Sequence, residues 1–338
     1  MSIPESARAP AWSGLQPDEG GQYRVCGSWA RRIVTAIGRP GQLLGRSADA
    51  CRSEGYYTFV PEDGSRRLFL KTVHERRLAS QLDANRIAEW LADNALPVRP
   101  ILNSYPRRLD SHYYLIAHNL IDGRFARCEA PDLEAIGQLL GRTHNALQSL
   151  PAARHIRRRS AQRDALFTEL LHEQHQPPAT NESVRKVLAS STPQLPSSDA
   201  QVIHGDLNMG NLLIGKASGQ PALLDFEDAN HNWHSPLVDL AMALERFVLV
   251  RTPDAELADR LGRALIEGYL ATAQQRPAVE HSATKILQSL ATRALLLLGN
   301  SAPSPTVDAE RDKFLMLHAL AEQQGPLLDR LWQSLDGR

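Results

Sequence analysis

The stretch HGDLNMGN, His204 to Asn211, sets an Asp, two Asn and two Gly between the apolar runs Val202–Ile203 and Leu212–Ile214. Alone, an octet of such residues reads as a turn, because Asp, Asn and Gly bond their own backbone or accept unusual dihedrals. The chain beyond Asn211 constrains it further. Leu212–Ile214 and Ala222–Phe226 are short apolar runs separated by GKASGQP, which predicts an antiparallel hairpin. The start of its first strand and the end of its second then share one end of a ladder whose strands lie about 4.8 Å apart. That spacing predicts Asn211 and Asp225 as neighbours. An amide oxygen beside a carboxylate suits a hard divalent cation, magnesium above all. Asp206, ahead of Asn211 and not needed for the metal, is left to act as a base. One free carboxylate plus a metal-holding amide and carboxylate is the set that phosphoryl transfer from a nucleotide requires.

The rest of the chain fits a protein able to house such a site. At 338 residues it exceeds one small core, which predicts two lobes. Residues 1–22, rich in Pro, Gly and Ser without a sustained period, are expected to form a loose tail, residues 23–117 a first lobe and residues 118–338 a second. A hydrophobic share of 42% without any membrane-length apolar run predicts a protein that stays in water. Lys plus Arg and Asp plus Glu balance at 38 each, so no overall field exists to hold nucleic acid. RHIRRRSAQR, Arg154 to Arg163, is a local basic cluster expected on a solvated face. Cys26, Cys51 and Cys128 are odd in number and scattered, and the first residues carry no secretion signal. Both points predict a cytoplasmic protein.

Along the chain, EGYYTFVPEDGSRRLFLKTV (Glu54 to Val73) predicts two strands joined at Asp63-Gly64. ASQLDANRIAEWLADNA (Ala79 to Ala95) spaces Leu82, Ile87, Trp90 and Leu91 as a helix does. Ser111 to Gly123 begins as a strand. APDLEAIGQLLGRTHNAL comes next as a helix, with Asp132 as the expected cap and Leu133, Ile136, Leu139, Leu140 and Leu147 as its apolar stripe. Beyond about Ala117 helices dominate. QHQPPATNES and SSTPQLPSSDA read as loops, and ALLLLG near residue 297 as part of a buried helix. HNWHS, His231 to Ser235, lacks a third nearby ligand and is not expected to bind zinc.

HGDLNMGN followed by LLDFE resembles the catalytic and metal-binding segments of the aminoglycoside phosphotransferase and choline kinase family, the small-molecule branch of the protein-kinase-like fold. The resemblance implies an α+β, bilobal architecture with a strand-rich N-terminal nucleotide-binding lobe and a mainly helical C-terminal lobe. It implies Asp206 as the catalytic Asp, and Asn211 and Asp225 as ligands of Mg2+. Lys71 in RLFLKTV matches the family's strand lysine, a point charge for the phosphates of ATP or GTP. YYLIAHNLIDGR resembles the hinge, where backbone groups around His118 to Leu120 meet the adenine. IGQLLGRTHNAL resembles the family's helix ending in Leu-His, and Asp239 in SPLVDLA the Asp that supports the catalytic loop.

The implied activity is transfer of the γ-phosphate to a hydroxyl of a small molecule: an amino-alcohol, an aminoglycoside or a sugar-like acceptor. Three features depart from the pattern. GRSADACRSEGYY lacks a full glycine-rich phosphate motif. The first-lobe helix is expected to supply an acid for Lys71, and Glu75, Asp83 and Glu89 all compete for that place. Asn208 and Glu227 stand where serine-directed protein kinases carry Lys and Gly, which counts against a protein substrate. Glu227 and Asp228 are candidates to face a cationic acceptor, or are ordinary loop acids. His204 is expected to be structural. The missing glycine motif and the unassigned helix acid favour an alternative, a nucleotide-binding regulatory module of the same fold with little or no turnover.

Overall fold

The computed structural model describes residues 23–45, 54–151, 153–173, 182–302 and 304–335. The expected tail at 1–22, residues 46–53 of the stretch GRSADACRSEGYY with Cys51, and most of QHQPPATNES lie outside them. The described residues fall into two compact units: one holds Ala126–Leu212 and the residues from Asp228 onward, the other those up to Phe125 together with Leu213–Glu227.

The smaller unit is built on a six-stranded antiparallel sheet. Its elements in chain order are β1 (Tyr23–Arg24), α1 (Gly27–Ile37), β2 (Gly41–Gly45), β3 (Gly55–Pro61), β4 (Leu68–His74), α2 (Glu75–Asp93), β5 (Arg107–Arg108), β6 (Tyr113–Asn119) and β7 (Gly123–Phe125). The sheet order is β1-β2-β3-β4-β6-β5. The β3–β4 turn forms as expected, with Gly64 at φ +70 and the Ser65 N–H donating to Asp63 Oδ1 at 2.9 Å. Lys71 lies opposite Tyr56 on β3 and Ile116 on β6, in the middle of the sheet. Phe59, Leu70, Leu115 and Ala117 are fully buried and make, with Trp29 and Ile33 of α1, the core of this unit.

Helix α2 starts earlier than its apolar spacing predicts, at Glu75, because the His74 ring accepts the Arg76 N–H at 3.2 Å and caps it. Helix α1 is not among the elements expected from sequence, although Trp29, Ala30, Ile33 and Ile37 bury one face of it. The later hairpin joins this unit. β9 (Leu212–Gly215) lies between β10 (Pro221–Leu223) and β7, with Gly123 opposite Gly215 and the Gly215 N–H bonded to the Gln220 carbonyl at 2.9 Å.

The larger unit is helical, as expected. Its elements are α3 (Ala130–Leu147), α4 (Ala153–Glu173), α5 (Glu182–Ser190), the short strand β8 (Gln201–Val202) paired with β11 (Trp233–His234), α6 (Leu237–Ala243), α7 (Ala255–Thr272), α8 (Ala283–Gly299), α9 (Pro305–Gln323) and α10 (Gly325–Gln333). A π-helical turn, Leu244–Leu249, continues α6. The predicted stripe of α3, from Leu133 to Leu147, is fully buried, and each such side chain contributes roughly 1.5–3 kcal/mol. Its cap differs from the expectation. Glu129 occupies the cap position, and Asp132 lies inside the first turn, where Oδ2 accepts the Arg127 N–H at 2.8 Å. Helices α3 and α7 meet backbone to backbone: a Cβ on Gly137 would lie 2.0 Å from the Leu265 carbonyl oxygen, and one on Gly268 2.2 Å from that of Glu134.

The basic cluster 154–163 forms part of α4, with Arg154, Arg157 and Arg158 exposed. Leu295 and Leu296 of α8 are buried as expected, while Leu297 is exposed. Among the described residues no helix is long and apolar enough to cross a membrane, and Cys26 and Cys128 are free thiols.

Candidate active site

The octet HGDLNMGN is held in the larger unit by a buried acid. Asp239, near the start of α6 and inaccessible to solvent, accepts the His204 N–H on Oδ2 and the Gly205 N–H on Oδ1, both at 2.8 Å. The His144 ring of α3 lies 3.1 Å from Oδ2 and in turn 3.2 Å from the Tyr269 hydroxyl of α7. Burial by itself would raise the Asp239 pKa. The bond to His144, the nearby imidazoles of His144 and His204, and the Gly205 N–H overcome it and hold the carboxyl below its ordinary value. Asp239 thus stays ionised and fixes the backbone entering the octet, the supporting role expected for it. His144 completes that support. His204 is also structural, its Nδ1 accepting the Asp206 N–H at 3.3 Å.

Gly205 is required at its position. Its φ is +79, and a Cβ there would lie 2.1 Å from Asn232 Nδ2. The chain then turns through Asn208, whose side chain accepts the Gly210 N–H at 2.8 Å and caps a 3₁₀ turn over Met209–Asn211.

Within this turn Asp206 and Asn211 are brought together. Asn211 Nδ2 donates to the Asp206 carbonyl and to its Oδ2, each at 2.9 Å, and Asn208 Nδ2 donates to the same Oδ2 at 3.0 Å. Because both partners on Asp206 are acceptors, only the NH2 side of the Asn211 amide can face them. Its carbonyl oxygen is therefore turned away from Asp206. Two amides on one oxygen fix the Asp206 carboxylate without neutralising it.

The smaller unit holds the other two charged candidates. Lys71, its side chain 7% exposed, lies 3.7 Å from Asp225 Oδ2. Asp225 has φ +55, a left-handed conformation that carries strain for any residue with a Cβ and is found disproportionately at functional sites. The acid that bonds Lys71 directly, however, is Glu227 through Oε1. Its other oxygen, Oε2, accepts from Arg77 of α2 at 2.6 Å.

This corrects the expectation that α2 supplies the acid. Glu75 lies 3.2 Å from the His112 ring, Asp83 accepts from Arg86 at 2.9 Å, and Glu89 accepts from Asn85 at 2.8 Å. Glu75 and Glu89 are exposed, whereas the buried polar residue of α2 is the neutral Gln81. Burial pulls the Lys71 pKa down, but Asp225, Tyr56 and Glu227 outweigh it and leave the ammonium above its ordinary value. Glu227 shows the reverse: burial raises its pKa, and Lys71, Gln81 and Arg77 bring it below the usual carboxylate range. Lys71 and Glu227 are thus a charged pair.

The hinge candidates lie at the end of β6. His118 Nδ1 bonds the Arg99 carbonyl at 2.8 Å, and burial lowers its pKa, so the ring is neutral at pH 7. The Leu120 N–H donates to the Arg67 carbonyl at 3.1 Å, extending the β4–β6 ladder by one step. Of the loop acids, Asp228 pairs with His231 at 2.9 Å and Arg163 at 3.6 Å. His234 is buried against Ser160 and Arg293. The histidines of HNWHS therefore have other partners. Among the described residues, the His, Cys, Asp and Glu side chains that lie close enough together for an ion are His74, Glu75 and His112, at the start of α2.

Known proteins resemble this chain in sequence family and in fold. The model of a family described as the phosphotransferase enzyme family matches residues 56–275. No curated protein matches the chain by sequence. Among solved structures, an aminoglycoside phosphotransferase from Alicyclobacillus acidocaldarius subsp. acidocaldarius DSM 446 is 13% identical, with 86% of this chain and 94% of that one covered, at a TM-score of 0.50. An aminoglycoside-3'-phosphotransferase of type VIII is 20% identical over 80% of this chain and 98% of its own, at 0.52. A spectinomycin phosphotransferase in complex with ADP and spectinomycin is 11% identical over 88% and 99%, at 0.50. At these identities the likeness is one of fold.

Proposed function

This chain belongs to the phosphotransferase enzyme family, and from that premise we propose that it transfers the γ-phosphate of ATP to a hydroxyl of a small molecule. The acceptor class is an amino-alcohol, an aminoglycoside or a sugar-like molecule. The observation that carries this reading is the fixed carboxylate of Asp206, bound on one oxygen by both Asn208 and Asn211. With Oδ2 so engaged, Oδ1 is the oxygen for the acceptor hydroxyl, which Asp206 aligns and whose proton it takes as the O–P bond forms.

Asn211 and Asp225 are the residues that would hold magnesium. Both are hard oxygen donors. The Asn211 amide is oriented with its oxygen away from Asp206, and the Asp225 side chain is 38% exposed. When bound, the cation neutralises charge on the phosphate oxygens. Lys71 supplies a further positive charge to those oxygens, and the backbone around His118 to Leu120 is the proposed site for the base of the nucleotide. Because the transition state of phosphoryl transfer is loose, positioning and charge neutralisation account for most of the rate.

The alternative, a nucleotide-binding module with little turnover, drew on the missing glycine motif and on the unassigned acid for Lys71. Glu227, paired with Lys71, answers the second of these grounds. The experiment is an ATP-consumption assay with magnesium across a panel of aminoglycosides, amino-alcohols and sugars. Stimulation by any one of them supports the enzyme; nucleotide binding without consumption across the panel favours the module.

A further inference from the structure

In kinases the strand lysine that touches the phosphates is commonly set by an acid on the neighbouring helix. Here the arrangement is inverted. Helix α2 contributes a cation, Arg77, and a neutral buried amide, Gln81, and the acid is Glu227 from the segment after Asp225. Arg77 and Gln81 are four residues apart on one helix and so share a face.

Resting on the phosphotransferase reading, we propose that Glu227 is the residue that positions Lys71, and that by holding it Glu227 keeps the ammonium from closing on Asp225 Oδ2, an oxygen donor to the divalent cation. Two observations support this. First, Lys71 has two acids within reach, and they differ: Glu227 makes a direct hydrogen bond, whereas Asp225 Oδ2 stays 3.7 Å away. A carboxylate bound tightly by an ammonium would be a poor cation ligand, since the two positive charges compete for the same oxygens. Second, Glu227 is itself held. Arg77 binds its second oxygen at 2.6 Å and is anchored by Glu54, also at 2.6 Å, while the Glu54 Oε1 accepts the His74 N–H at 3.2 Å. The chain Lys71–Glu227–Arg77–Glu54 thus ties the lysine to the start of α2. Gln81 lies against the same carboxylate, yet its buried Nε2 has no hydrogen-bond partner among the described residues. That amide occupies the place on α2 from which an acid could serve instead.

The test uses the full-length protein and three variants: Glu227→Gln, Arg77→Gln, and the double variant Glu227→Gln with Gln81→Glu, which moves the carboxylate back to the helix. Calorimetric binding of ATP with magnesium is measured for each, together with the magnesium concentration that gives half-maximal binding. Removing one charge-assisted partner of Lys71 is expected to weaken nucleotide binding about tenfold. Because Asp225 then takes the ammonium, the magnesium requirement rises as well. Arg77→Gln, which reaches Lys71 through Glu227, gives a smaller change in the same direction. The double variant recovers most of the lost affinity and the lower magnesium requirement. A purely structural role for Glu227 would shift the melting temperature without moving the magnesium requirement. Wild-type values in Glu227→Gln, or no recovery in the double variant, would overturn the inference. Failure of the wild-type protein itself to bind the nucleotide with magnesium would instead remove the phosphotransferase reading and this inference with it.

Discussion

His144 Nε2 lies 3.1 Å from Asp239 Oδ2 in the interior of the larger unit, with their side chains 2% and 0% exposed. The same carboxylate accepts the two N–H groups that lead into Asp206. One buried acid therefore sets both the packing of α3 on α6 and the path of the candidate catalytic loop. Asp239→Asn replaces a charged acceptor with an amide that can satisfy only part of this set. The expected loss is roughly 3 kcal/mol of stability, since breaking a buried pair leaves its partners uncompensated, read as a lower urea midpoint. The pH dependence has a definite sign. The folded pKa lies below the ordinary 3.8, so this contribution is fully present above that value and is lost as the pH falls through the lower folded value. The variant should accordingly lose less stability than the wild type on acidification below pH ~4.

Gly137→Ala adds a single methyl where α3 and α7 touch. Its Cβ would lie 2.0 Å from one backbone oxygen and 2.7 Å from the Tyr269 nitrogen. Neither can move without shifting a helix. The expected cost is about 1–3 kcal/mol or more, as for overpacked cores, visible as a lower melting temperature. Helix propensity alone would predict a gain from this change, so an unchanged or raised melting temperature would show that the helices are not in backbone contact.

Glu245, in the π-helical turn after α6, is pushed up to about 7 by burial, with Arg246 and Lys313 opposing the shift. Its folded pKa exceeds the ordinary 4.5, so between those values the native state binds more protons than the unfolded chain. Stability should fall as pH rises through that window, by an amount on the order of a few kcal/mol. Glu245→Gln should match the wild type near pH ~5 and exceed it near pH ~8. Urea unfolding at the two pH values checks this, and parallel curves for the two proteins would contradict it.

Much of the site was legible because its parts are close in sequence. Asp206 and Asn211 share one turn, and the hairpin of β9 and β10 follows from two apolar runs flanking Gly and Pro. The supporting Asp239 was legible through resemblance, and the stripe of α3 through its spacing. Glu227 was not. It is 156 residues from Lys71, and a carboxylate in a loop carries no periodic mark of which cation it meets. The acids on α2 misled because charge was visible in sequence and facing was not: Glu75 and Glu89 point to solvent while Gln81 is buried. Helix α1 offered Trp29, Ile33 and Ile37 at intervals of four residues, but its short amphipathic pattern stands next to a segment with no period. β7 has three residues, too few for alternation to register, and only its pairing with β9 defines it.

The central claim is that Asp206 is the group that engages the acceptor hydroxyl. It is tested most directly by measuring acceptor-dependent ADP release by wild type and Asp206→Ala at saturating ATP and magnesium, alongside calorimetric nucleotide affinity. The expected result is a fall in turnover of roughly 100- to 10,000-fold, the range a positioned acid or base contributes, with nucleotide affinity unchanged. Turnover equal to that of the wild type in Asp206→Ala would contradict the assignment.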